Sequence, residues 1–152
     1  MKQEEYPLPS FNFKVIFSGP AGTWEDTSFK EVSEFGSKVE TEKIIEGGDA
    51  GQAYTVPKSV AYKNLILKRG IAGISSQLVK WCKSVLEEGF NKPIVPMQIS
   101  VQLLNESQEP VRVWVFENAY PVSWDVEGFN SMENKVAIEK IEFCYHFFKR
   151  EK

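Results

Sequence analysis

Residues 62–89, YKNLILKRGIAGISSQLVKWCKSVLEEG, decide how the chain must fold. The first nine read as a strand closing on Leu67, Lys68, Arg69 and Gly70. Beyond them Ile74, Leu78, Trp81, Cys82, Val85 and Leu86 recur at the spacing of one helical face. Ser75 or Ser76 stands where a hydroxyl caps the first amides, and Gly89 where a left-handed residue ends a helix. Leu78, Trp81 and Val85 are the expected core anchors of that helix. One helix has one stripe to bury, and the rest of the chain reads as strand, so a sheet must cover it.

The alternation elsewhere is of period two. Phe11, Phe13, Val15 and Phe17 share one strand face, and Met97, Ile99, Val101 and Leu103 share another. Val111 to Phe116 follows a polar turn and should pair with the preceding strand; Asn118-Ala119-Tyr120-Pro121 is expected to interrupt it before a short strand at Val122 to Val126. In the last strand Val136 and Ile138 are expected to face inward. Lys140 then breaks the pattern, which restarts at Ile141, Phe143, Tyr145 and Phe147, predicting a bulge near Glu139-Lys140. Ser37 to Ile45 alternates with neither face strongly apolar. Gly47-Gly48-Asp49-Ala50-Gly51 then opens a loop of roughly fifteen residues, long for a compact domain and suited to serve a partner through Tyr54, Val56, Pro57 and Tyr62. The expected fold is a single mainly-β domain over residues 1–152: a small antiparallel barrel or two-sheet sandwich with one flanking helix.

The 152 residues are 42% hydrophobic and 13% aromatic, ample for a core, and 18 basic against 21 acidic residues leave a formal charge of -3. That balance gives no basic footprint for duplex nucleic acid. No apolar run reaches the roughly 20 residues of a membrane helix, and Met1 to Glu5 lacks a signal-peptide core. Synthesis in the cytoplasm and no membrane insertion are therefore expected. Cys82 and Cys144 read as buried thiols without a CxxC neighbour, and the sequence does not exclude a disulfide between them. His146, the one histidine, falls beside Lys149 and Arg150 on the solvent side. The glycines at 47, 48 and 51 lack the strand-before, helix-after context of a phosphate loop. No catalytic residue, metal ligand or cofactor is expected.

Several stretches together resemble the tail-tube proteins of contractile phages and phage-tail-like injection systems, the family related to the type VI secretion tube protein. The resemblance rests on Tyr6-Pro7-Leu8-Pro9 with Phe11 to Val15, on Phe29-Lys30-Glu31-Val32-Ser33, on Ile45-Glu46-Gly47-Gly48 with Pro57, and on Tyr62 to Gly70. It continues through Ile99 to Glu106, Trp114 to Pro121 and Asn134 to Glu139. Glu34 and Lys58 stand where glycines are common in that family. The resemblance implies a structural subunit with no chemistry of its own: homohexameric rings stacked into a hollow tube inside a sheath, partnered by baseplate, spike and capping proteins. Cargo or DNA would occupy the lumen, in a virion tail or injection particle. Glu40 and Glu42 are the expected lumen-facing carboxylates, and Gly47, Gly48, Asp49, Tyr54, Val56, Pro57 and Tyr62 the expected contacts between subunits or rings. A tube-initiator paralogue of the same fold is the nearest alternative; a small ligand-binding barrel, monomeric with an aromatic pocket, is the alternative of another class.

Overall fold

The structure, a computed structural model, describes residues 12–20, 22–45, 53–70, 76–88, 93–127 and 137–152. Strand β1 (Asn12–Gly19) turns at Gly22, whose φ of 125° suits glycine, into β2 (Gly22–Asp26), setting Phe17 opposite Trp24. β1 also pairs with β7 (Met97–Leu104), placing Val15 opposite Val101. The polar turn after β7 is held by the Asn105 carboxamide oxygen, which accepts from the amides of Ser107 at 2.9 Å and Glu109 at 3.0 Å. From there β8 (Pro110–Glu127) runs eighteen residues. Its other edge takes β9 (Ile138–Cys144) and β10 (Phe147–Arg150), and β9 passes the sheet on to β6 (Leu65–Gly70) and β3 (Phe29–Ser33). All pairs are antiparallel, and the sheet curls until β3 comes against β1, which makes it sandwich-like rather than a closed barrel.

The helix α1 (Gln77–Leu86) packs Leu78 and Cys82 into a core made by Val15, Phe17, Leu65, Leu67, Ile99, Val101, Phe116, Ile141 and Phe143. Val79, outside the expected stripe, is buried as well, whereas Trp81 and Val85 are half-buried and Leu86 is exposed. Ser76 occupies the N-cap position, but its hydroxyl makes no capping bond. Ile74 and Gly89 lie outside the described residues, as does Val136.

Three other expectations are corrected. Residues 53–63 are no loop: β5 (Ala53–Lys63) pairs along its length with β4 (Gly36–Ile45) in a separate two-stranded sheet. β8 does not stop at Asn118-Ala119-Tyr120-Pro121. Asn118 takes a left-handed φ of 53°, and the pairing with β9 slips by one residue between Pro121 and Ser123, which accommodates a proline without ending the strand. Finally, β9 has no bulge at Glu139-Lys140: Arg69, Lys68 and Leu67 oppose Glu139, Lys140 and Ile141 in unbroken register. Glu139 itself is the inward residue, and Ile138 is exposed. The irregularity comes later, where Tyr145 and Phe148 face the core and His146 and Phe147 face solvent between them.

Candidate assembly surface

The paired register of β4 and β5 sorts the arm into two chemically different faces. Tyr62, Val39 with Val60, Thr41 with Pro57, Lys43 with Thr55, and Ile45 with Ala53 lie on one face. The other carries Lys63, Lys38, Glu40 with Ser59, Glu42 with Val56, and Ile44 with Tyr54. β4 read alone has no apolar face; its partner strand supplies one. Ile45 is 77% exposed, Val60 54% and Val39 52%, so that face is uncovered. A lone two-stranded hairpin is marginal in water, and β4 and β5 pair with no third strand among the described residues. Glu40 accepts a hydrogen bond from the Ser59 hydroxyl at 3.2 Å on the charged face, where Lys38 and Lys63 partly offset Glu40 and Glu42.

At its root the arm is fixed. Glu34 adopts a left-handed φ of 63°, a conformation costing a side-chain-bearing residue roughly 1–2 kcal/mol, and delivers Phe35 against the core. The Phe35 ring meets Trp114 at 5.5 Å, Phe116 at 5.2 Å and Phe148 at 5.5 Å, each nearly edge-to-face. On the returning strand Tyr62 meets Tyr145 at 5.8 Å and Phe148 at 5.7 Å. The Tyr145 hydroxyl donates to the Lys63 carbonyl, and Asn64 donates to Glu142 at 2.9 Å. Edge-to-face pairs contribute about 0.5–1.5 kcal/mol each, more than enough to offset the Glu34 conformation. Burial pushes the Tyr145 phenol from 10.0 to about 12, with neighbouring Tyr62 and Cys144 adding to it.

A second cluster lies under the start of α1. Arg69 and Glu139 are 2% and 1% exposed, joined by Nε to Oε2 at 2.9 Å. Arg69 Nη1 also pairs with Asp26 and reaches the Ser28 hydroxyl, Nη2 reaches the Ser76 hydroxyl at 3.4 Å, and the guanidinium stands 5.1 Å from the Phe29 ring centre. The Trp124 indole N–H donates to the other Glu139 oxygen. Ser76, one of the two hydroxyls expected to cap the helix, thus belongs to this network, and Ser75 lies outside the described residues. Burial, with the Glu139 charge adding, pushes the Cys82 thiol from 9.0 to about 12.

The residues singled out in the sequence therefore fall in three places. Tyr54, Val56 and Pro57 lie on the arm with Glu40 and Glu42; Tyr62 is at its root; Gly47, Gly48 and Asp49 lie outside the described residues. Leu67 is core, Arg69 is buried charge, and Lys68 and Gly70 face away from it. Phe35 and Glu139 were missed. The first sits alone between Glu34 and Gly36, outside any alternation, and the second occupies an inward position that alternation reserves for apolar side chains. Both cysteines are free thiols, Cys82 buried and Cys144 half-buried, and His146 is exposed. Among the described residues no three metal-ligating side chains gather, and no helix is long and apolar enough to cross a membrane.

A family model described as T4-like virus tail tube protein gp19 matches residues 9–149. The chain belongs to the tail tube family. It is accordingly a structural tube component, and its exposed contact surfaces are where function is to be sought. No curated protein sequence matches the chain. Among solved structures, a chain of the anti-feeding prophage (AFP) baseplate, 6-fold symmetrised, is similar with a TM-score of 0.77 and 23% identity over 97% of each chain. A chain of the extracellular contractile injection system PVC, in its extended sheath-tube complex, gives a TM-score of 0.73 and 23% identity, covering 97% of this chain and 93% of that one. Hcp1 from Flavobacterium johnsoniae gives 0.55 and 15%, covering 90% and 94%. These likenesses establish a shared tube fold, sandwich-like with one helix.

Proposed function

We propose that this tail tube protein assembles with copies of itself into six-membered rings that stack into a hollow tube, surrounded by a sheath and bounded by baseplate, spike and capping proteins. The observation that carries this is the β4–β5 arm, whose apolar face is exposed and has no cover among the described residues. The similar chains come from a six-fold baseplate and from a sheath-tube complex, which supports six-fold rings inside a sheath. The part is mechanical, with no catalytic step and no membrane insertion by this chain; it is made in the cytoplasm and built into a phage tail or injection particle. On this reading the apolar face, with Val39, Pro57 and Val60, lies against a neighbouring subunit. Tyr54 and Val56, which share the face of Glu40 and Glu42 near the arm's end, contact a subunit of the next ring, as do Gly47, Gly48 and Asp49. Glu40 and Glu42 look into the water-filled lumen, where a carboxylate repeated around the ring keeps DNA or acidic cargo from adhering.

Negative-stain microscopy of concentrated protein tests the proposal. Rings with six-fold class averages and rods of stacked rings are expected, and shortening the arm to a tight turn between Lys38 and Ala61 should leave folded subunits that do not stack. A protein that stays monomeric at every concentration, or arm-shortened protein that forms ordinary rods, overturns it.

A further inference from the structure

The arm leaves the sandwich on two strands, and each carries a ring at its root. Phe35 and Tyr62 sit on opposite strands at its root and enter one aromatic socket built by Trp114, Phe116, Tyr145 and Phe148, with Phe148 touching both. We infer that Phe35 and Tyr62 are positioning residues: they set the angle at which the arm departs, so that it reaches its neighbour already aimed. This deepens the assembly reading above and rests on it.

Three features point this way. Phe35 is placed by a non-glycine residue in the left-handed region, Glu34 at φ 63°, a conformation that turns the ring inward at that one position. The returning strand is tied twice more, by the Tyr145 hydroxyl on the Lys63 carbonyl and by Asn64 on Glu142. Beyond the root, in contrast, β4 is exposed from Ser37 to Ile45. Leverage makes the root matter. A ten-residue strand at about 3.3 Å per residue is roughly 33 Å long, and a swing of about 10° at its base moves the tip by about 6 Å. That displacement exceeds the separation of neighbouring strands, so an arm free to swing would spend most of its time out of reach of its docking place. Ordering it beforehand removes that loss from the association step.

The experiment compares Phe35→Ala, Tyr62→Ala and Tyr62→Phe with the unaltered protein, and uses Leu78→Ala as a control that loosens the core from the helix without removing a ring of the arm's root. Hydrogen exchange across residues 36–63 and the lowest concentration giving rods by light scattering are read well below each melting temperature. Both alanine variants should exchange at least tenfold faster over the arm and need at least tenfold more protein to form rods. Tyr62→Phe should match the unaltered protein, and Leu78→Ala should lower the melting temperature without moving the rod threshold. Phe35→Leu or Tyr62→Leu, which keeps apolar bulk without the ring, serves in place of the corresponding alanine variant if that does not fold. The inference is overturned if the arm is loosened and rods still form at the usual concentration, or if Leu78→Ala raises the threshold as much. Rods from the unaltered protein would leave the assembly reading standing in either case; their absence would remove that reading first.

Discussion

Removing the Arg69 guanidinium should be among the most damaging single changes in this subunit, and a second change at Glu139 should partly repair it. Glu139 is 1% exposed and Arg69 supplies its cation at 2.9 Å. In Arg69→Met the carboxylate stays buried with the Trp124 N–H but without that positive charge. Breaking one side of a buried pair costs about 3–5 kcal/mol. Asp26, the other carboxylate released, is 13% exposed and recovers part of its hydration, so it adds little. Glu139→Gln alone is milder, since Arg69 keeps Asp26 and Trp124 keeps an acceptor; loss of one charge-assisted bond is worth about 1.5–3 kcal/mol. The double variant contains no stranded buried charge, so it should be more stable than Arg69→Met by about 2 kcal/mol. At 2–4 °C per kcal/mol for a chain of this size, Arg69→Met should melt roughly 6–20 °C lower and the double should regain several degrees. Thermal unfolding by circular dichroism and urea titration of the four proteins complete the cycle. Should Arg69→Met cost under about 1 kcal/mol, or the double lose as much as the two singles added, the reasoning from a desolvated ion pair is wrong.

Two further outcomes follow from burial. Leu78 is 1% exposed and Val85 half-buried, so Leu78→Ala should cost about 2–5 kcal/mol and Val85→Ala under about 1.5, measured by urea midpoint; similar losses would mean that the helix is seated differently. Cys82 and Tyr145 both have folded-state values raised to about 12, from 9.0 and 10.0, so each favours folding fully below its ordinary value and loses that contribution as pH rises toward 12. The urea midpoint should fall between pH 8 and 11, with Cys82→Ala and Tyr145→Phe each flattening the fall. A midpoint constant or rising over that range would contradict both assignments.

Where one face of an element meets the core, its pattern is readable in the sequence. β1 and β7 are legible because Val15, Phe17, Ile99 and Val101 recur at every second position, and α1 because Leu78 and Cys82 share a helical face. β5 was not legible for the opposite reason: only Val56, Ala61 and Tyr62 along it escape full exposure, so no burial impresses a period on its sequence, and Pro57 argues against a strand unless the pairing shifts, as it does between Glu40 and Thr41. The supposed bulge at Glu139-Lys140 has a related origin. A carboxylate in an inward position looks like an interruption until the arginine that neutralises it, seventy residues earlier, is placed across the strand pair. Sequence shows the apolar half of a core well and its paired charges poorly, because one ion of the pair carries no sign of where the other is.

The arm's arithmetic fits the proposal that the subunit acts only in rings. Val39, Val60 and Ile45 are between half and three-quarters exposed, so covering the three is worth roughly 3–5 kcal/mol at 1.5–3 kcal/mol per fully buried side chain. Bringing two bodies together costs an estimated 4–15 kcal/mol in lost freedom. One arm is thus near or below break-even, and two lone subunits should not hold one another by it. Six arms acting between the same two proposed rings meet that cost once, and their contributions then add within a single association. Rod growth should therefore be abrupt in protein concentration, with rings and rods coexisting and few short oligomers. A graded series of dimers and trimers in mass photometry would show that a single arm already suffices and would undo this account.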